Sequence, residues 1–124
     1  MPGATGRVLL LLRDRRRRAV DSDDIYYLEA RGDETEVRLR GARTLRDTRS
    51  LGEVLDELGP LGFLKVQRNL GVNLRHVREI RPARRGTGWE LRLEPPVNKV
   101  LPVSRREGSR LFEAFRPRRS PRRP

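Results

Sequence analysis

The chain has 124 residues, of which 29 are Lys or Arg and 17 are Asp or Glu, for a net charge of +12. It has no cysteine, which excludes a disulfide framework and thiolate chemistry, and its early apolar run at residues 8–12 is too short for a membrane span or a signal peptide. The length predicts one domain, and the charge predicts a polyanionic partner such as DNA, RNA or an anionic membrane surface. We expect a cytoplasmic protein without membrane insertion.

Short strands separated by turn signals are predicted for the first part of the chain. Their positions are residues 7–12, 15–20, 25–30, 35–39 and 44–47. Gly32 and Asp33 are typical of a hairpin turn between the third and fourth strands. In the fourth strand Val37 and Leu39 alternate with Glu36 and Arg38, which indicates one buried and one exposed face.

One helix is well marked after these strands. Ser50 is a natural N-cap, and Glu53 three residues later completes a capping box. Apolar residues then recur at helical spacing, and Gly59 followed by Pro60 ends the helix. The apolar positions are Leu51, Val54, Leu55 and Leu58.

The second half of the chain again predicts strands, followed by a last helix. Strands are predicted at residues 63–68, 77–81, 89–93 and 100–103, with turns at residues 69–73 and 82–88. Ser104 and Glu107 form a second capping-box pattern. The helix they open has Leu111, Phe112 and Phe115 as its apolar stripe.

These elements predict a mostly β fold, a single domain with one central short helix and a C-terminal helix. The strand–helix alternation of a parallel α/β sheet is missing. We divide the chain into an N-terminal segment with the first strand (1–14), a core domain (15–115) and a disordered Arg/Pro-rich tail (116–124). Residues 13–18 carry +4 and residues 116–124 carry +5, so the rest carries only +3. Such arginine runs either aid solubility or bind phosphate non-specifically.

The segment from 63 to 74, FLKVQRNLGVNL, concentrates side chains suited to nucleic-acid recognition. Lys65 and Arg68 are suited to phosphate and guanine, whereas Gln67 and Asn69 are suited to adenine. Asn73 is better explained as a residue that satisfies local backbone groups in a turn. Arg84 and Arg85 in the 82–88 turn, and Arg81 just before it, either add phosphate contacts or form a solvated hairpin tip.

The order of motifs resembles the LytTR family of bacterial DNA-binding domains over residues 15–115. The matching segments are DIYYLEA (24–30), the Ser-Leu helix start (50–51), FLKVQRN (63–69), VNL (72–74), VREI (77–80) and LPVSR (101–105). The resemblance implies antiparallel β-sheets with a short helix, and loops rather than a recognition helix inserted into successive major grooves. It also implies transcription regulation and binding to double-stranded DNA as a dimer on repeated sites.

The resemblance further implies which residues contact DNA. They are Lys65, Gln67, Arg68 and Asn69 after the basic strand, Ser104, Arg105 and Arg106 after the last strand, and Thr35 in the first hairpin. One departure bears on base preference: where the family reads His-Arg-Ser and an aromatic residue, this chain reads Gln67-Arg68-Asn69-Leu70. A separate regulatory partner protein would supply the input signal, because most relatives carry an additional sensory domain.

Other classes of function have weaker support. An RNA- or ribosome-associated basic protein suits the charge, but aromatic residues that could stack on single-stranded bases are few: three Phe, two Tyr and one Trp. A protein-interaction module acting through the tail is a further alternative. We expect no enzyme activity, cofactor or metal, since there is one histidine, no thiol, no phosphate loop and no EF-hand pattern around Asp21–Asp24.

Overall fold

Ten strands and two α-helices make up residues 5–115, the part of the chain that the computed structural model describes. The strands are β1 Arg7–Leu11, β2 Arg17–Asp21, β3 Ile25–Arg31, β4 Glu34–Leu39, β5 Thr44–Asp47, β6 Phe63–Gln67, β7 Leu70–Asn73, β8 Val77–Pro82, β9 Trp89–Leu93 and β10 Val100–Val103. The helices are α1 Leu51–Leu58 and α2 Arg105–Phe115. The predicted tail at 116–124 lies outside the described residues. Within 5–115, neither helix is long and apolar enough to cross a membrane.

The described strands form three antiparallel sheets. A central five-stranded sheet has the order β5-β4-β3-β7-β6, a three-stranded sheet has the order β10-β9-β8, and β1 pairs with β2 as a two-stranded ribbon. The prediction of a mostly β fold with a central and a C-terminal helix is therefore confirmed. The first strand, which we placed in the N-terminal segment (1–14), pairs with β2 along its whole length, from Arg7 opposite Asp21 to Leu11 opposite Arg17.

Other elements pack on both faces of the central sheet, and an apolar cluster is buried on each face. The first cluster joins the β1–β2 ribbon and α1 to β3, β4 and β6, and its fully buried members include Ile25, Leu28, Val37 and Val54. The second cluster joins the three-stranded sheet and α2 to β3, β6 and β7, and its fully buried members include Val66, Val72, Leu91 and Leu111. Side chains that alternate along the central strands supply both clusters. In β4, as its pattern predicted, Val37 and Leu39 are on the buried face and alternate with the less buried Glu36 and Arg38.

The predicted capping box of α1 is confirmed. The backbone N–H of Glu53 donates to Ser50 Oγ at 3.2 Å, and the N–H of Ser50 donates to Glu53 Oε1 at 3.0 Å. These hydrogen bonds from Ser50 lower the pKa of the exposed Glu53 carboxyl group. A cap of this kind stabilises a helix by about 1 kcal/mol, so eight residues suffice for α1 once Leu51, Val54 and Leu58 are buried.

The predicted turn at residues 69–73 is wrong, because most of that segment is the buried strand β7. β7 lies between β3 and β6 in the central sheet, and only Arg68 and Asn69 form the turn before it. Gly71 packs against Leu55 of α1, where an added Cβ would lie 2.9 Å from Leu55 Cδ2. The glycine therefore serves the close approach of helix and strand rather than a turn.

Asn73 ends β7 and joins three segments of the chain. Its side-chain amide donates to the carbonyl oxygens of Ser22 at 3.2 Å and Ile25 at 2.9 Å. Its Oδ1 accepts from the backbone N–H of Arg75 at 3.0 Å, which is the local backbone role that its side chain predicted. Asn73 is 1% exposed, so a contact with DNA is excluded for it.

The buried carboxylate of Asp47, paired with the partly exposed Arg49, anchors the β1–β2 ribbon to the central sheet. Asp47 Oδ2 accepts hydrogen bonds from Arg49 Nη2 at 2.9 Å and from the backbone N–H of Leu11 at 3.0 Å. Arg49 also donates to Glu57 Oε1 at 2.6 Å, and the N–H of Thr48 donates to the carbonyl oxygen of Leu11 at 2.9 Å. Burial alone would raise the pKa of Asp47, but the hydrogen bonds from Arg49 and Leu11 outweigh it and hold that pKa below its ordinary value.

Candidate nucleic-acid interface

The β6–β7 turn and the β3–β4 hairpin turn emerge side by side at one end of the central sheet. Leu70, at the start of β7, pairs with Glu29 near the end of β3. The backbone N–H of Ala30 donates to the carbonyl oxygen of Asn69 at 2.9 Å. These bonds hold the two turns against each other at an end of the sheet that we call the loop end.

The start of α2 reaches the same end through a hydrogen bond to β6. The backbone N–H of Ser104 donates to the carbonyl oxygen of Val66 at 3.1 Å. Val66 is the extra residue of a β-bulge, since the pairing of β6 with β7 shifts between Lys65 and Gln67. A bulge re-aims the side chains that follow it, and here it ends β6 with Gln67 facing the start of α2.

An open cleft of about 600 Å³ lies where these elements meet. Gln67 lines it from β6, and Ser104 and Arg105 line it from the β10–α2 junction. Arg84 and Arg85, in the turn between β8 and β9, line it as well. Three of the predicted contact residues, from segments far apart in the sequence, therefore share one concave surface.

The cleft carries an excess of positive charge. Its one acidic lining residue among those described, Glu90, is paired with Arg81, with Arg81 Nε at 3.3 Å from Glu90 Oε1. Arg84, Arg85 and Arg105 are exposed and have no carboxylate partner among residues 5–115. Unpaired guanidinium groups beside Gln and Ser side chains are suited to phosphates and base edges.

The other predicted contact residues on these segments are exposed but do not line the cleft. Arg68 and Asn69 are exposed in the β6–β7 turn, directly after Gln67. Lys65 is exposed on β6 before the bulge, and Arg106 is exposed in the first turn of α2.

A family model, described as the LytTr DNA-binding domain, matches residues 15–116. The chain belongs to the LytTr DNA-binding domain family. This confirms the resemblance, and it makes the chain a DNA-binding domain of a type that acts in transcription regulation. The family is a DNA-binding family rather than a catalytic one.

A solved structure supports the assignment. The LytTr DNA-binding domain of a Bacillus cereus protein, described as a methyl-accepting/DNA response regulator, is 25% identical in sequence and superposes with a TM-score of 0.69. The match covers 88% of this chain and 95% of that chain. A search of curated protein sequences gave no match.

We predicted that Thr35 contacts DNA from the first hairpin, and the structure of this LytTr domain corrects that prediction. Its side chain is 0% exposed, and its Oγ1 donates to the carbonyl oxygen of Arg49 at 2.9 Å. The alternation of β4 places Thr35 on the same buried face as Val37 and Leu39. A threonine in that position stabilises the link to the segment after β5 and cannot reach a DNA groove.

The second capping box of the LytTr domain is only half formed. The N–H of Glu107 donates to Ser104 Oγ at 3.2 Å, as predicted. The N–H of Ser104 is already used by Val66, so the reciprocal bond to the Glu107 carboxylate is missing. That carboxylate is buried, and its Oε1 lies 3.7 Å from Arg110 Nη1.

α2 is seated on the three-stranded sheet through Trp89. An added Cβ at Gly108 would lie 2.6 Å from Trp89 Cδ1 and 2.8 Å from Nε1, so only glycine lets the helix approach the indole ring so closely. Phe112 packs edge-on against the same ring, with ring centroids 4.7 Å apart. Leu111 is fully buried, whereas Phe112 and Phe115 of the predicted apolar stripe stay partly exposed.

His76, the single histidine, has a structural role in the LytTr domain. Its ring stacks on Tyr26 with centroids 3.9 Å apart, and its Nε2 lies 2.6 Å from the carbonyl oxygen of Asp23. Arg40 closes the cluster with a hydrogen bond to the Tyr26 hydroxyl at 2.9 Å. All of these contacts are internal to the fold.

Arg84 and Arg85 line the cleft, and the sequence had left their role open. Two adjacent arginines without an acidic neighbour in a glycine-containing turn were the available signal. Their share in the cleft depends on how the β8–β9 turn folds over the end of β6, and the sequence carries no direct sign of that arrangement.

Proposed function

We propose that this LytTr domain binds double-stranded DNA at specific sequences and regulates transcription by inserting its loops into major grooves. The cleft carries the proposal, because it gathers Gln67, Ser104 and Arg105 at the end of the sheet from which the Arg68–Asn69 turn also projects. Amide and guanidinium groups in one cluster are the side chains that distinguish base pairs in a major groove.

The proposed contacts fall into two groups. Gln67, Arg68, Asn69 and Arg105 read base edges, and each well-made bidentate contact contributes about 1–3 kcal/mol of discrimination. Lys65, Arg106 and the arginines of the β8–β9 turn hold phosphates and set the salt dependence of binding. The Ser104 hydroxyl accepts the N–H of Glu107, and its own hydrogen is left for a phosphate or base oxygen.

The proposal includes two further elements that rest on the family. The domain binds repeated sites as a dimer, and a separate protein conveys the regulatory signal to it. Such a regulator acts in the cytoplasm, where bacterial DNA lies. The mass of the protein–DNA complex in sedimentation, on duplexes with one or two sites, tests the stoichiometry.

Selection from a random duplex library at about 0.15 M salt tests the central claim. The wild type is compared with Arg105→Ala, Arg105→Lys and Arg92→Ala. Arg105→Lys keeps the charge but loses the planar fork that reads guanine. Arg92 is exposed on β9 and serves as the control, since its pairing with Val100 places it away from the β10–α2 junction.

We expect the wild type and Arg92→Ala to enrich the same repeated motif. Arg105→Ala and Arg105→Lys should both lose it, although Arg105→Lys keeps its affinity for random duplex. Tight binding by the wild type without any enriched motif would contradict the proposal. Preferential binding to single-stranded RNA in a competition would instead favour the RNA-associated alternative.

A further inference from the structure

A cluster of exposed arginines lies outside the cleft, in the loop that joins β1 to β2. Arg15, Arg16 and Arg17 are exposed and have no ion-pair partner among residues 5–115. We infer that this loop, which we call the arginine loop (residues 13–17), is a clamp for the DNA backbone outside the groove that the cleft reads. The inference rests on the proposed function, because it presumes a duplex seated on the loop end.

The arginine loop emerges at the same end of the molecule as the cleft. The N–H of Thr48, just after β5, donates to the carbonyl oxygen of Leu11 at the end of β1. β5 ends beside the start of β4, since Asp47 pairs with Thr35. Arg13 then bridges to the first residue of β4, with Nη2 at 3.3 Å from Glu34 Oε1. The arginine loop, the β3–β4 hairpin turn and the β6–β7 turn therefore form one edge.

The arginine loop and the cleft lie well apart along this edge. The loop lies on the β5 side of the central sheet, whereas the cleft lies on the β6 side, four strand spacings away. At about 4.8 Å per spacing this is roughly 19 Å, more than the ~12 Å width of a major groove. A duplex that places one groove on the cleft would present the flanking sugar–phosphate backbone to the loop.

The pairing of the other cations marks the arginine loop as available for phosphate. Arg31 and Arg46 lie on the same edge, but both are paired with Glu36, and Arg46 also with Glu34. Arg15, Arg16 and Arg17 keep their charge uncompensated. The loop offers arginine forks without Asn or Gln side chains, and this composition suits phosphates rather than base edges.

The loop is also held in place, which a clamp requires. It closes as a tight turn with two successive left-handed residues, Asp14 at φ 64° and Arg15 at φ 62°. The N–H of Leu12 donates to the carbonyl oxygen of Arg16 at 2.8 Å. Below it, the Asp47–Leu11 bond fixes the end of β1 to the sheet. An anchored loop loses less conformational entropy on binding than a flexible arm.

A charge-matched pair of triple variants tests the inference in the full chain. One is Arg15→Gln, Arg16→Gln and Arg17→Gln. The control is Arg43→Gln, Arg78→Gln and Arg92→Gln, which removes the same charge from exposed positions away from the loop end. Arg43 directly precedes β5, and Arg78 and Arg92 lie at the ends of β8 and β9 that are remote from the β8–β9 turn. Both are titrated with the selected duplex and with random duplex from 50 to 300 mM salt, and both complexes are mapped by hydroxyl-radical footprinting.

We expect the loop variant to lower the slope of log K against log salt by about 2–3, since each phosphate contact contributes about 0.9. The control should lower it by less than about 1. The loop variant should lose protection on the backbone flanking the recognised motif and keep its preference for that motif. Equal effects of the two variants would overturn the inference, and so would loss of the preference itself. Failure of the wild type to select a motif would instead contradict the proposed function.

Discussion

The backbone N–H of Ser104 and the carbonyl oxygen of Val66 form a hydrogen bond of 3.1 Å between the start of α2 and the bulged end of β6. Gln67 follows one partner and Arg105 follows the other, so this bond fixes the relation between two side chains of the cleft. Under the proposed function, recognition therefore depends on where α2 begins, and the contacts that seat the helix matter as much as the residues proposed to face DNA.

Gly108→Ala should displace α2. Its new methyl group would lie 2.6 Å from Trp89 Cδ1, so either the helix or the indole ring must move. We expect the free energy of unfolding to fall by about 1–3 kcal/mol and the enriched DNA motif to weaken, although Gly108 is buried and does not itself line the cleft. Urea unfolding and duplex titration measure the two effects.

Gly52→Ala is the matched control for the glycine substitution. Gly52 lies inside α1, is exposed, and has nothing within 4 Å of an added Cβ. Alanine should stabilise the protein there by about 0.5–1 kcal/mol and leave DNA binding unchanged. If Gly108→Ala were as stable as Gly52→Ala, the close packing of Trp89 against α2 would be refuted.

Arg15→Gly should raise stability and lower DNA affinity at the same time. Arg15 has a left-handed φ of 62°, which costs an L-residue about 1–2 kcal/mol. Glycine relieves that cost but removes one cation of the arginine loop. The thermal unfolding temperature should therefore rise, whereas the affinity measured by titration with the selected duplex should fall.

Arg16→Gly provides the comparison for the turn. Arg16 has an extended backbone with φ −72° and ψ 149°, so glycine relieves no strain there and adds freedom to the unfolded chain. We expect Arg16→Gly to be less stable than Arg15→Gly by about 1 kcal/mol or more, with a similar loss of DNA affinity. Equal stability of the two variants would argue against a strained Arg15.

The Asp47 carboxylate should make stability depend on acid pH. Its folded pKa is held below the ordinary value of 3.8, so the ionised form favours folding. The stabilisation is complete above the unfolded pKa and is lost as the pH falls through the lower folded pKa. The wild type should be level in free energy of unfolding from about pH 7 to pH 5 and fall below about pH 4.

Asp47→Asn isolates this contribution. The amide loses the charge-assisted bonds from Arg49, and we expect a loss of about 1.5–3 kcal/mol at pH 7. The difference from wild type should narrow as the pH falls below the ordinary carboxyl pKa of 3.8, because the unfolded wild type then takes up a proton and the advantage of the ionised Asp47 is lost. Asp56→Asn, an exposed position on α1, should show a small difference at every pH. A constant difference for Asp47→Asn would assign the acid sensitivity to other groups.

Gly71→Ala should destabilise the protein through Leu55. The new Cβ would lie 2.9 Å from Leu55 Cδ2, the far end of a flexible side chain, so we expect a cost of about 1 kcal/mol. In a Leu55→Ala background the same substitution should cost little, which gives a coupling energy of about 1 kcal/mol in a double-mutant cycle. Additive effects would show that β7 and α1 do not meet there.

Local signals explain which elements the sequence predicted well. The cap of α1 uses Ser50 and Glu53 within one turn, and the alternation of β4 reflects burial of one strand face. β2 begins later than predicted because residues before it form the tight turn with Asp14. A turn was predicted at residues 69–73 where most of the segment is a strand. The hydrogen-bond partners of the Asn73 side-chain amide, the carbonyl oxygens of Ser22 and Ile25, are remote in sequence and could not be predicted locally.

The candidate site was predictable in its residue types but not in its arrangement. The basic segment around Gln67 and Arg68 stood out by composition and by its resemblance to the family. Which arginines are free depends on cross-strand register, as with Arg46, whose guanidinium is paired with Glu34 and Glu36. Thr35 lies at the expected position in the chain, but its side chain is on the buried face of β4 and not on the exposed one.

Because β6 contains a bulge at Val66, the segment from Phe63 to Leu70 should tolerate changes of length less well than changes of side chain. Under the proposed function, a different side chain at Gln67 would alter base preference while the alternation of the strand stays unchanged. Loss of a single residue between Phe63 and Leu70 would reverse which face each side chain occupies, because strand side chains alternate with a period of two. The recognition segment can therefore diversify by substitution, whereas insertions and deletions within it would be selected against.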